Sequence, residues 1–195
     1  MERREALKYT AIFMGTAMSA STIAAIAAGC SVDKTETWKP VFFTPEEDHF
    51  LSELAETMLP KTKTPGARDA MVDRFLDTVR PLRYTVEENT TFKTELKALM
   101  EKAKTDLGKD FTKASPEKRL EWLKGVDQAA YDSIKDKPDL HAEEKPYYLK
   151  LKEQILGAYF SSEIVSKEYF SFDPIPGKYQ GCIPYTEIGH AWALS

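Results

Sequence analysis

Cysteine and histidine are scarce in this chain: two cysteines and three histidines stand among 195 residues. His49, His141 and His190 lie far apart, and neither a His-x-x-x-His nor a Cys-x-x-Cys pair occurs, so the usual spacings of a metal centre are missing. The Gly-x-Gly-x-x-Gly turn after a strand, the phosphate-binding loop and the Gly-x-Ser-x-Gly elbow are missing too, which argues against a nucleotide, a flavin or an acyl-transfer nucleophile held by this chain. No useful length of strand-like alternation appears, which leaves an all-α fold. A net charge of -4 gives no basic surplus and disfavours nucleic acid as a partner. With 30% charged residues and a mean hydropathy of -0.45 the chain is no multi-span membrane protein.

Charge itself is missing from one stretch, between Lys8 and Asp33. A basic start, an apolar run and a small-residue end form an export signal. Arg3, Arg4, Leu7 and Lys8 resemble the twin-arginine signal, with Glu2 and Ala6 where Ser or Thr and Phe are usual. The run after them has the length of a transmembrane helix, but Gly15, Thr16, Ser19, Ser21, Thr22 and many alanines dilute it, which favours a cleaved signal over a permanent anchor. It closes on Ala27-Ala28-Gly29-Cys30, which resembles a lipoprotein box with Ala27 in place of the usual Leu. On that reading Cys30 is the lipidated first residue of the mature chain; ordinary cleavage near Ala28, with an incidental cysteine, is the alternative. The expected division is a signal over 1–29, a lipidated N-terminus and polar tether over 30–43, and a helical domain over 44–195. Only Cys182 then remains free, so no intramolecular disulfide is expected and packing alone must stabilise the fold. Cys182 has no basic neighbour in sequence and reads as a buried small side chain.

Within the domain, Thr44-Pro45-Glu46-Glu47 combines an N-cap, a first-turn proline and a capping-box glutamate. Phe50, Leu51, Leu54, Ala55, Met58 and Leu59 follow at helical spacing until Pro60. Pro65-Gly66 suits a type II turn, after which a second helix is expected over 68–80 with Met71, Val72, Phe75, Leu76 and Val79 inward, stopping at Pro81. Thr85 and Glu88 open a long helix that ends before Gly108, and Ser115-Pro116-Glu117 opens the next. A fifth starts near 144–146, where Gly157 suggests a close contact or an early end. The expected architecture is a bundle of five or six helices followed by an irregular C-terminal segment rich in aromatic residues, proline and glycine. That segment is too aromatic for a disordered tail: eight of the 22 aromatic residues fall between Tyr159 and Trp192.

Candidate chemistry is thin. Lys61, Lys63 and Arg68 bracket the Pro65-Gly66 turn, where they form an anion site or, on the plainer reading, a solvated basic loop. His49 reads as solvent-facing, and the pairs Glu46-Glu47, Glu87-Glu88 and Glu143-Glu144 sit at helix starts and complement the dipole there. No catalytic, cofactor-binding or metal-binding residue is assigned, so the chain reads as an exported interaction module.

Two stretches carry a resemblance: 50–60, Phe-Leu-Ser-Glu-Leu-Ala-Glu-Thr-Met-Leu-Pro, running into Thr64-Pro65-Gly66-Ala67, and 158–163, Ala-Tyr-Phe-Ser-Ser-Glu, running into 172–182, Phe-Asp-Pro-Ile-Pro-Gly-Lys-Tyr-Gln-Gly-Cys. In this order and spacing, over about residues 43 to 193, the chain resembles the gluconate 2-dehydrogenase subunit 3 family. The resemblance implies the non-catalytic small subunit of a periplasm-facing sugar or sugar-acid dehydrogenase. FAD would then sit in a separate large subunit, and a cytochrome c subunit is a further candidate partner. The small subunit would help the large one to fold, to cross the membrane and to stay there through its lipid. The expected partner surface combines Pro60, Pro65 and Gly66 of the loop, Tyr159 and Phe160, and Phe172, Asp173, Pro174, Pro176, Gly177, Tyr179 and Trp192 of the C-terminal segment. A free-standing envelope lipoprotein with a binding or scaffolding role is the alternative.

Overall fold

The structure, a computed structural model, describes residues 38–137, 141, 144–170, 177, 182–189 and 191. The export residues Arg3, Arg4, Leu7 and Lys8 and the lipidation candidate Cys30 lie outside the described residues. So do Phe172, Asp173, Pro174, Pro176, Tyr179 and Trp192. The chain divides into two units after Trp38, and the second carries the helical domain.

The helices are α1 (Pro45–Met58), α2 (Val72–Arg83), α3 (Val86–Leu107), α4 (Pro116–Asp132), α5 (Tyr147–Phe160) and the short α6 (Glu163–Glu168), with a 3-10 turn at Phe111–Lys113 and one helical turn at Tyr185–Ile188. Among the described residues there is no strand, and no helix is long and apolar enough to cross a membrane. The fold is the expected all-α bundle.

Local chemistry sets several of the helix ends. At α1 the Thr44 hydroxyl accepts from the Glu47 N–H while the Glu47 carboxylate accepts from the Thr44 N–H at 2.9 Å. Thr85 and Glu88 repeat this reciprocal pair at α3, which ends on Gly108 in the left-handed region at φ 68°. In α5, Gly157 neither ends the helix nor admits a neighbour, since nothing lies within 4 Å of where a Cβ would be.

The second helix departs from expectation. It starts at Val72, after a turn that ends on Met71 at φ 52°, and it runs through Pro81 to Arg83. Pro81 is tolerated because it removes one bond in the last turn only, and the Asn89 amide caps the end from outside by donating to the carbonyls of Arg80 and Tyr84. Its inward face carries Val72 and Leu76, but also Asp77 and Arg80, whereas Met71 and Phe75 are exposed.

α1 packs on α2 and α4, and α5 closes the other side against both. Leu54, Leu96, Leu151 and Ile155 lie fully buried at the centre, each contributing about 1.5–3 kcal/mol. Phe50, Phe111 and Trp122 form an edge-to-face series with centroids 5.3 and 5.4 Å apart, and the Trp122 indole donates to Asp106 at 2.9 Å.

Candidate functional site

The loop between α1 and α2 is held from four directions. Glu56, in the last turn of α1, accepts from the backbone N–H groups of Lys61 at 3.1 Å and Arg68 at 3.0 Å. Asp69 accepts from the Gly66 N–H at 3.1 Å and pairs with the Lys61 ammonium at 3.0 Å. The Ala67 N–H returns to the Leu59 carbonyl at 2.9 Å. From α5 the buried Tyr159 phenol donates to the Pro65 carbonyl at 2.6 Å. The hydrogen bond from Lys61, then that from Gly66, holds the Asp69 carboxyl below its ordinary range, and Asp69 in turn raises the Lys61 ammonium.

Gly66 is not the left-handed residue of a type II turn, since its φ lies outside that region. It is required for space: a Cβ there would stand 2.6 and 2.8 Å from the Glu56 carboxylate oxygens and 2.9 Å from the Lys61 nitrogen. Two of the three basic loop residues are spent within the domain as well, whereas Lys63 is exposed. Arg68 and Arg119 of α4 both pair with Glu53, and Lys61 pairs with Asp69.

Of the sequence-derived surface, the structure brings Pro65, Gly66 and Tyr159 together and buries them in the domain's own packing. Pro60 and Phe160 remain exposed beside them. From Tyr159 an aromatic ladder continues through Phe160 and Phe170 to Tyr169, with successive centroids 5.2, 5.8 and 5.4 Å apart. Gly177 is exposed.

Sequence reasoning missed a second polar centre, between α2, α3 and α5. The Asp77 carboxylate, fully buried, accepts from three successive N–H groups, those of Val41, Phe42 and Phe43, at 2.8, 2.9 and 2.8 Å. This ties the segment before α1 to α2, and the Lys93 ammonium seals it by donating to the Phe42 carbonyl. One turn on, Arg80 is 3% exposed. Its guanidinium lies between the rings of Tyr84 and Phe92, 4.0 and 3.9 Å from their centroids, and donates to the Asn89 and Gln154 side-chain oxygens. Burial lowers its pKa from the ordinary arginine value. Arg80 lines an open cavity of about 630 Å³ together with Tyr147, Lys150 and a rim that includes Glu87, Glu95 and Glu153. Burial, and then the Glu95 charge, raise the Tyr147 phenol far above its ordinary value.

His49 and His141 are exposed, and His190 lies outside the described residues. Among the described residues no group of three His, Cys, Asp or Glu is placed to hold a metal ion. Cys182, expected to be buried, is exposed: a lone thiol is drawn inward only if tertiary contacts cover it, and none of the described residues does so.

The family model described as gluconate 2-dehydrogenase subunit 3 matches residues 45–177, from the first residue of α1 into the C-terminal segment. No curated protein matches, and no solved structure does.

Proposed function

Because this chain belongs to the gluconate 2-dehydrogenase subunit 3 family, we propose that it serves as the accessory, non-catalytic subunit of a larger dehydrogenase. The match over residues 45–177 carries this reading, since it spans the bundle from α1 through α6. The loop's polar groups support it: Glu56, Asp69 and Tyr159 are occupied in holding backbone.

In this proposal the flavin, FAD, and the oxidation of the sugar or sugar acid belong to the large subunit, and a cytochrome c subunit completes the path of the electrons. Arg3, Arg4, Leu7 and Lys8 direct export, Cys30 carries the lipid, and the assembly works on the periplasmic side of a bacterial membrane. One acyl chain binds a membrane only marginally, so several chains on Cys30, at about 0.8 kcal/mol per buried CH₂, are what hold it there.

The test is affinity capture of the tagged full-length chain from its native membranes. A flavoprotein in near-equal amount is the expected companion, and its absence overturns the subunit reading. Cys30→Ala should release the assembly from the membrane with the pair intact. Lysines at positions 3 and 4 should leave both proteins in the cytoplasm if the large subunit has no signal of its own.

A further inference from the structure

Three methionines fall among the described residues, and they differ in what can reach their sulfur. Met58 and Met100 are half-buried against the core, whereas Met71 is 53% exposed at the head of α2. Its backbone sits at φ 52°, ψ 41°, a region costly for a bulky side chain, and such a conformation persists only where its surroundings impose it. Here the locked loop imposes it. The Met71 N–H donates to the Arg68 carbonyl at 3.0 Å, the Met71 carbonyl accepts from the Phe75 N–H at 3.0 Å, and the Val72 N–H reaches back to Ala67. The root of the side chain is therefore fixed, and the thioether is held out in water.

The sulfur already has a charged neighbour. Arg74, itself exposed, donates from its guanidinium to Met71 Sδ at 3.9 Å. A thioether is a weak acceptor, so a strong donor is matched here to a poor partner. Oxygen added to the sulfur corrects the mismatch. A sulfoxide is polar where the thioether was apolar, and its oxygen, lying between Sδ and the guanidinium, brings an acceptor within ordinary hydrogen-bond length. Hydrogen bonds to an ionised donor are roughly twice as strong as neutral ones.

We infer that Met71 is an oxidation site whose sulfoxide is captured by Arg74. The inference does not rest on the subunit reading, because it concerns side chains of this domain alone. The co-reactant is a hydroperoxide. A lone pair on the Met71 sulfur attacks the terminal peroxide oxygen, and the O–O bond breaks as the S–O bond forms. The O–O bonding pair stays with the other oxygen, which takes the proton of the transferred one and leaves as water or an alcohol. The sulfur is thereby oxidised by two electrons and the peroxide reduced by two. Methionine sulfoxide reductases return the thioether, so the change is reversible. Its local result is an apolar helix head made polar, with Arg74 drawn onto it.

The test is a hydrogen peroxide titration of the tagged full-length chain carrying Cys182→Ser, since that exposed thiol also consumes peroxide. Peptide mass spectrometry should find the added oxygen on Met71 about fivefold faster than on Met58 or Met100. The oxidised protein should melt about 1–2 °C above the untreated protein. That rise should vanish in Arg74→Ala and Arg74→Gln, each compared with its own untreated sample, and in Met71→Leu, which offers no sulfur. Methionine sulfoxide reductase should reverse both the mass change and the rise. Oxidation of Met58 or Met100 as fast as Met71 overturns the site. A rise that is absent from the protein with Arg74 intact, or that survives both Arg74 substitutions, overturns the capture.

Discussion

Asp77 and Glu56 perform the same operation in different surroundings. Each carboxylate gathers backbone N–H groups and so fixes a segment that has no ladder of its own. Asp77, fully buried on α2, holds three N–H groups of a segment more than thirty residues earlier, while Glu56, partly exposed on α1, holds two from the loop that follows it. The difference lies in what replaces the carboxylate when it is lost. Water can reach the amides of Lys61 and Arg68, but not that of Phe43. The buried clamp therefore secures the fold, and the exposed one shapes a loop.

The sharpest way to break this comparison is to delete both. Asp77→Ala should cost about 3 kcal/mol in urea unfolding, because a buried N–H is left without a partner, whereas Glu56→Ala should cost about 1 kcal/mol or less. Equal losses would mean that burial does not separate the two. Gly66→Ala comes next, at about 2 kcal/mol, since the new methyl must displace the Glu56 carboxylate or the Lys61 backbone. In a Glu56→Ala background part of that cost should vanish, and an undiminished cost would place the whole clash on the backbone.

Tyr159→Phe removes only the phenol that reaches Pro65, for an expected loss of about 1–1.5 kcal/mol in the same melts. The smallest effect has the opposite sign. Burial, then the charges of Asp73 and Asp77, push the Asp48 carboxyl from 3.8 up to about 6, with Arg74 opposing. A carboxyl that binds its proton more tightly when folded destabilises the fold once it ionises: the penalty is absent below about pH 4, grows through pH 6 and is complete at pH 7. Asp48→Asn should therefore raise stability by about 1 kcal/mol at pH 7 and leave it unchanged at pH 3.5. A gain at both pH values would point to packing instead of charge.

The same contrast explains what could be read from the sequence. The starts of α1 and α3 were legible because a capping box closes within four residues, Thr44 to Glu47 and Thr85 to Glu88. The stop at Gly108 was legible for the same reason. The face and limits of α2 were not: the partners of Asp77 lie at Val41, Phe42 and Phe43, and Gln154, which receives Arg80, is 74 residues away. Apolar spacing alone turned Met71 and Phe75 inward because it counts hydrophobic residues and cannot see buried charges. Pro81 read as a stop because the cap that lets the helix pass it comes from Asn89 on the next helix. Pro65-Gly66 suits a type II turn by its residue types, but Gly66 is required for its missing Cβ and not for its φ: a required φ is a local property and a missing Cβ is a tertiary one. Of the candidate surface, Pro65, Gly66 and Tyr159 pack inside the domain because α5 lies against the loop, a tertiary contact that spacing in the sequence does not show.

The central claim, that this bundle is the accessory subunit of a larger dehydrogenase, is tested most directly by the mass of the assembled species. Full-length chain and large subunit, co-expressed and solubilised together, should elute from size-exclusion chromatography with light scattering as one flavin-absorbing peak whose mass is the sum of the two. Separate elution, with flavin absorbance only in the large protein's peak, would contradict it.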